Sequence, residues 1–398
     1  MKRTFLLFVI LSIFLSLITG CWNRRELNEL AIVSGMGFDR SENGYLVSLQ
    51  IINPRETAAK GEGYDSPVTT YQATGETVIK AVRKITKELP RRAYFSHLRI
   101  VIIGNKLAEE GFIDVLDFLS RNHELRTDFY MAISKGESAK DVLATLTSIE
   151  KIPANKLYQA LEVSEKAWAA TGTIQLDELI SDLISEGKHP VLTGVSFQGD
   201  PQKGKTTQNV LTTDEPVTLQ YLGLSVLKND KLIGWLNEDE SKGYNYSQGT
   251  VQSTVINVPC SKGGDLGIEV TEANTKTEGK VENGKPKIEL EIKVEGSIGD
   301  VECKVDLSNT QEIYKIEQKA QQSIKNKIEQ AIHKVQKQYK ADIFGFGEAI
   351  RRSAPKTWKQ IKDNWDSEFE DLTVDIAVEV RIRQVGTIGD SILKDFEE

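Results

Sequence analysis

Cysteine and histidine are scarce in this 398-residue chain, with three of the first and four of the second. Cys21, Cys260 and Cys303 are too few for a disulfide framework and lack the paired spacing of a zinc site. Two buried thiols are the expectation for Cys260 and Cys303, with one disulfide as the alternative. His97, His123, His189 and His333 are scattered without H-x-x-x-H or H-E-x-x-H spacing, so metal catalysis has no support. No G-x-S-x-G elbow occurs and no cysteine has a local catalytic signature. A second long apolar run is missing after the first twenty residues, as are a convincing internal repeat and a low-complexity segment. Positive charge is in deficit: the formal net charge is −8. Loss of Lys2 and Arg3 with a leader would deepen the deficit, and this excludes nucleic acid as the expected partner.

What is present begins with a leader. Lys2 and Arg3 precede an apolar run from Phe5 to Ile18, followed by Thr19, Gly20 and Cys21. That order describes a secretory signal peptide, and the run is shorter than the roughly 20 residues a spanning helix needs. Ile18-Thr19-Gly20-Cys21 resembles the lipobox of bacterial lipoproteins, in which the thiol receives a diacylglyceryl group and the chain is cut before it. Cleavage is therefore expected between Gly20 and Cys21, with palmitate-like acyl chains on Cys21 and an N-acyl chain as an option. Two chains hold a protein on a bilayer far more firmly than one. Everything after Cys21 should sit outside the cytoplasm at the membrane surface. Arg24 and Arg25 could touch anionic lipid, but Glu26 and Glu29 dilute them.

Hydrophobic periodicity gives an α+β reading: a mixed α/β multidomain lipoprotein of three domains after the 1–20 leader. The boundaries expected are 21–188, 189–265 and 266–398. In the first, strands are expected at Ala31–Phe38, Tyr45–Ile52, Leu98–Gly104 and Phe129–Ser134. Between and after them, helical faces are formed by Val78, Val82, Ile85 and Leu89, by Phe112, Val115, Leu116 and Leu119, by Leu157, Leu161 and Trp168, and by Leu176, Leu179, Ile180, Leu183 and Ile184. Ser138 with Asp141 has the form of a helix start. Asn53–Pro67, rich in glycine and charge, reads as a mobile loop. The middle region is strand-rich, with candidates at Thr218–Leu227, Lys231–Leu236 and Thr250–Val258. In the last, Ile288, Leu290, Ile292 and Val294 alternate with charged residues, as do Leu372 to Ile382. A long amphipathic helix runs between them from Ile313 to Tyr339, capped by Asn309 with Glu312. It should lie across an antiparallel sheet.

Few constellations suggest chemistry. Gly199, Gly204, Lys205 and Thr206 satisfy the phosphate-loop pattern, whose mechanism needs a helix immediately afterwards to receive phosphates. Thr207–Pro216 has no apolar face and reads as a polar loop, so no nucleotide is expected. His333 should be a surface histidine on the long helix, and Glu109 and Glu110 a solvated helix face. Trp358 and Trp365, seven residues apart near Phe369, should share one face of a short helix and plug the last sheet. Gly345 and Gly347, which alternate with Phe344 and Phe346, permit a tight bend before it.

Taken together, several segments resemble the Ger(x)C family, the lipoprotein C subunits of spore germinant receptors. The similar residues are Cys21, Trp22, Arg25, Glu26 and Leu27, then Leu30 to Val33 with Gly35, the Arg99–Gly104 strand, the Phe344–Gly347 turn, Pro355, Trp358 and Trp365. Asn23 departs from the aspartate expected there. The resemblance implies a non-enzymatic, membrane-anchored subunit beside a multi-spanning A subunit and a transporter-like B subunit in the spore inner membrane. It implies nutrient-triggered germination, three mixed α/β domains, and a defined role for Cys21 alone. No metal or cofactor is implied beyond the lipid. A solute-binding lipoprotein of a transport system is the alternative, and would show two similar lobes around a cleft.

Overall fold

The first elements form a hairpin because apolar residues alternate on either side of a tight turn at Gly44, which has φ +127°. The computed structural model describes residues 3–6, 27–54, 66–260 and 263–384. Gly20, Cys21 and most of the loop expected at Asn53–Pro67 lie outside them.

The hairpin is β1 (Leu30–Ser41) with β2 (Gly44–Ile52), and β3 (Val68–Gly75) adds antiparallel to it. After α1 (Val78–Ile85), β4 (Arg92–Tyr94) and β5 (Ile100–Ile103) both run parallel to β1. Helices α2 (Asn105–Glu110) and α3 (Ile113–Arg121) lead to β6 (Tyr130–Ser134), parallel to β5. Helices α4 (Ala139–Ala144), α5 (Pro153–Ala167) and α6 (Leu176–Ile184) precede β7 (Val191–Gly199), which runs parallel to β6. A short α7 (Pro201–Gly204) and two antiparallel strands, β8 (Val217–Lys228) and β9 (Lys231–Trp235), complete a nine-stranded sheet. Its order is β3-β2-β1-β5-β6-β7-β8-β9, with β4 beside β1.

The unbroken apolar run of β5 marks a strand covered on both faces. Ile100 and Ile102 pack with Val142 and Leu143 of α4 and Ala154 and Leu157 of α5. Val101 and Ile103 join a larger core with the buried stripes of α1, α2, α3 and α6.

The remaining elements are α8 (Glu238–Gln248), β10 (Thr254–Pro259), β11 (Asp265–Glu282), β12 (Lys285–Val301), α9 (Thr310–Lys334), α10 (Phe346–Ser353), α11 (Pro355–Ile361), α12 (Trp365–Glu370) and β13 (Thr373–Gln384). Four strands pair in the order β10-β11-β12-β13. The first three are antiparallel, and the β11–β12 turn is Asn283-Gly284, with φ +52° and +80°, the pattern of a two-residue hairpin. The last strand runs parallel to β12, because four intervening helices carry the chain back to the starting end of the sheet. Ile316, Ala320, Ile324, Ile328, Ala331 and Val335 bury the α9 stripe on this sheet, and the Asn309 side chain accepts from Gln311 N.

The strands within 189–265 form no sheet of their own. β7, β8 and β9 extend the large sheet, while β10 joins the small one. A single apolar core runs between the two, from Val191, Leu224 and Val226 to Ile268, Ile292 and Ile328.

The expectation of two free thiols is corrected: Cys260 and Cys303 form a disulfide. Pairing explains it. Pro259 faces Asp265 and Val301 faces Leu266, so both chains reach the start of β11 from opposite sides and their next residues meet.

Candidate functional site

A groove of about 1510 Å³ lies on the outer side of α1 and α3. Its apolar lining includes Val82, Leu89, Phe95 and Phe118, while Ile79 stands 55% exposed on its rim. Charged residues close it at intervals. At one end the Tyr45 hydroxyl donates to Asp114 at 2.6 Å, and Arg40 pairs with Glu110 at 2.6 Å and lies over the Tyr45 ring. Burial, then Asp114, push the Tyr45 phenol above its ordinary value. Along α3, Arg121 pairs with Asp117 at 2.8 Å. At the other end Arg92 pairs with Glu124, and Asn28 and Glu29, where the chain enters β1, form part of the wall. Arg83 and Arg91 line the same end with no side-chain partner among the described residues.

A second candidate is the junction between the sheets, where residues 185–190 meet the Asp342–Gly347 turn. Gly187 and Gly347 touch backbone to backbone, and a Cβ on Gly187 would lie 2.8 Å from Gly347 C. Around this contact Ser185 Oγ donates to Glu348 (2.8 Å), His189 N to Asp342 O (2.7 Å) and Lys362 to Glu186 (2.8 Å). Asp366 is held by Lys228 at 2.6 Å and lies 3.2 Å from His189 Nε2. Burial alone would raise the Asp366 carboxyl, but bonds from His189 and Lys228 outweigh it and hold the group at about 2.

Asp342 is fully buried at this junction. Its carboxylate accepts from Gly345 N (2.9 Å), Gly347 N (2.8 Å) and Trp365 Nε1 (3.0 Å). Burial pushes its carboxyl up to about 6, against the pull of those donors and of nearby His189. The sequence reading passed over Asp342, although an aspartate three and five residues before glycines is a turn-forming signal. Gly345 takes φ +74°, which supplies the bend expected there.

The expected aromatic plug is present. Trp358 and Trp365 meet edge to face at 5.3 Å, beside Phe369, and Phe344 stacks on Phe346. They do not share one helix, because a 3-10 turn at Lys362–Asn364 separates α11 from α12. The phosphate-loop residues form a structural bracket. Lys205 is engaged by Asp141 at 2.6 Å, Gly204 packs against Thr145 and Val217, and a 3-10 turn follows where a phosphate loop would need a helix. Of the histidines, His123 lines the groove, His189 the junction, His97 meets the Tyr94 ring at its edge, and His333 is exposed on α9. Among the described residues no three His, Cys, Asp or Glu side chains converge as a metal site, and no helix is long and apolar enough to cross a membrane. Cys21 and Gly20 lie outside the description.

Two family models match in tandem, the spore germination protein N-terminal domain over residues 23–197 and the spore germination B3/GerAC-like C-terminal domain over residues 222–386. The chain is 35% identical to spore germination protein KC of Bacillus subtilis strain 168 over the full length of both. It is 24% identical to spore germination protein B3 of the same organism, covering 96% of this chain and 98% of that one. The crystal structure of the GerBC protein superposes with a TM-score of 0.54 at 21% identity, covering 88% of this chain and 97% of that one, and shares the fold. With both halves matched in order and a full-length relative at that identity, the chain belongs to the GerAC-like family of spore germination proteins.

Proposed function

We propose that this chain is the lipid-anchored, non-catalytic C subunit of a spore nutrient germinant receptor. It works beside multi-spanning A and B subunits at the outer surface of the spore inner membrane. The observation that carries the reading is the end-to-end match to spore germination proteins, with no enzyme among the relatives named above. The geometry agrees in kind: the two principal features are an open groove and a packed junction, both suited to contact and to rigidity. A solute-binding lipoprotein would call for two like lobes around a cleft, whereas a nine-stranded and a four-stranded sheet here share one core.

In this reading Cys21 carries the diacylglyceryl group after cleavage at Gly20, and the lipid is its one prosthetic group. Spores carrying Cys21→Ala should release the protein from the membrane fraction and lose most of their response to nutrient, measured as the fall in optical density after nutrient addition. Normal germination with a soluble variant would sink the proposal.

A further inference from the structure

We propose that the basic end of the α1–α3 groove is a docking surface for anionic phospholipid headgroups, which sets the orientation of the anchored chain on the bilayer. This rests on the reading of Cys21 as the lipid anchor. Its first support is charge placement. In a chain of net charge −8, residues 80–92 carry Lys80, Arg83, Lys84, Lys87, Arg91 and Arg92 against Glu88 alone. All six cations are exposed. Lys80 is answered by Glu76 and Arg92 by Glu124, and Lys84 reaches only the Thr74 carbonyl. The side chains of Arg83, Lys87 and Arg91 have no protein partner among the described residues, which leaves their charge available to an outside anion.

Position supplies the second support. Arg92 stands opposite Leu30 in the β4–β1 register, and Arg83 and Arg91 line the groove with Asn28 and Glu29. Asn28 is seven residues after Cys21, so a fully extended connection keeps the lipidated residue within about 25 Å. Headgroup attraction decays over a Debye length of about 8 Å at physiological salt, so a basic patch counts only when something holds it at the surface. This patch lies beside the end of the chain that the anchor would hold. Two acyl chains on Cys21 already suffice to hold the chain on the bilayer, so a basic patch beside them adds orientation and not retention. Glu29 and Glu88 temper the patch without reversing its sign.

The test uses the full chain, processed in its host and reconstituted into vesicles of phosphatidylcholine alone or with 30% phosphatidylglycerol. An impermeant amine reagent reads the exposure of Lys84 and Lys87 by peptide mass spectrometry. Lys151, exposed just ahead of α5 on the opposite side of the sheet, is the reference. Labelling of Lys84 and Lys87 should slow at least fivefold in anionic vesicles and recover in 1 M salt, with Lys151 unchanged. Equal labelling in both vesicle types, while the protein still floats with them, overturns the patch. Protection that arises in phosphatidylcholine only when the multi-spanning subunits are added assigns the face to a protein and overturns it as well. Failure to float with phosphatidylcholine counts against the anchor instead. Flotation with anionic vesicles then decides the patch: loss of it in R83Q/K84Q/K87Q/R91Q supports the proposal, and no flotation of the parent chain overturns it. Each neutralised cation should weaken that association about fivefold.

Discussion

Asp342 and Asp366 stand close together at the junction and respond to pH in opposite directions. Burial raises the Asp342 carboxyl to about 6, above the unfolded value of about 3.9. The folded state therefore holds this proton longer, and its contribution to stability falls as pH rises from about 4 to 6. Asp366 is depressed to about 2, so its contribution is full above about 4 and is lost as pH falls toward 2. The stability of the parent chain relative to Asp342→Asn should decline between pH 4 and pH 6, by about 3 kcal/mol at most, and stay level above pH 7. Relative to Asp366→Asn it should rise between pH 2 and pH 4 and then hold. Urea unfolding across that range gives both profiles, and a flat Asp342 difference would refute the assignment. The two tryptophans give a matched comparison. Trp365→Phe removes a donor from a buried carboxylate and should cost about 1.5–3 kcal/mol. Among the described residues Trp358 Nε1 has no partner, so Trp358→Phe should cost distinctly less in the same urea series. Equal costs would mean that the indole bond to Asp342 does not matter.

Helix α8 shows how an element can be built without an apolar stripe. Eight consecutive residues, Glu240 to Ser247, are buried, and most of them are polar. It is specified by its ends: Asn237 and Glu240 form a reciprocal capping box, and Gly249 closes it with φ +69°. Gly243 sets its distance from α9, because a Cβ there would overlap the Lys327 carbonyl. Gly243→Ala should therefore push the two helices apart and cost about 1–3 kcal/mol, read as a lower urea midpoint. An unchanged midpoint would show that the close approach has slack. Periodicity made the stripe of α9 and the alternation in β12 and β13 legible, since each buries one repeating face, and it marked β1 and β2 as strands although both of their faces are covered. It missed α8, whose burial comes from neighbours on several sides, and β11, whose core-side face includes Thr275, Thr277 and Gly279. The groove was equally hidden: its basic end is a run of ordinary surface cations until β4 brings Arg92 beside Leu30. Asp342 was overlooked because its partners are backbone amides and one indole, none of which a charge pattern reveals.

At the scale of the molecule, the two sheets are welded by apolar packing as well as by polar contacts. Leu224 and Val226 come from the large sheet, yet they belong to the core that contains Ile268, Ile292 and the α9 stripe. Tyr339, just past α9, adds a clamp: its ring lies where a side chain on Gly234 would be, and its hydroxyl is 3.2 Å from both Trp235 N and Trp235 O. In the role proposed above, a subunit tethered at one end and set against partners elsewhere would transmit force only if its halves do not slide, and a shared core provides that stiffness. Both sheets should then unfold in one transition. Leu224→Ala, deep in the shared core, should cost about 2–5 kcal/mol. In native-state hydrogen exchange it should weaken protection in β5 and in β12 together, although β12 lies in the other sheet. If β5 lost protection while β12 kept it, the sheets would be separate cooperative units, and the junction residues Gly187, Asp342 and Asp366 would sit on a hinge instead of a weld.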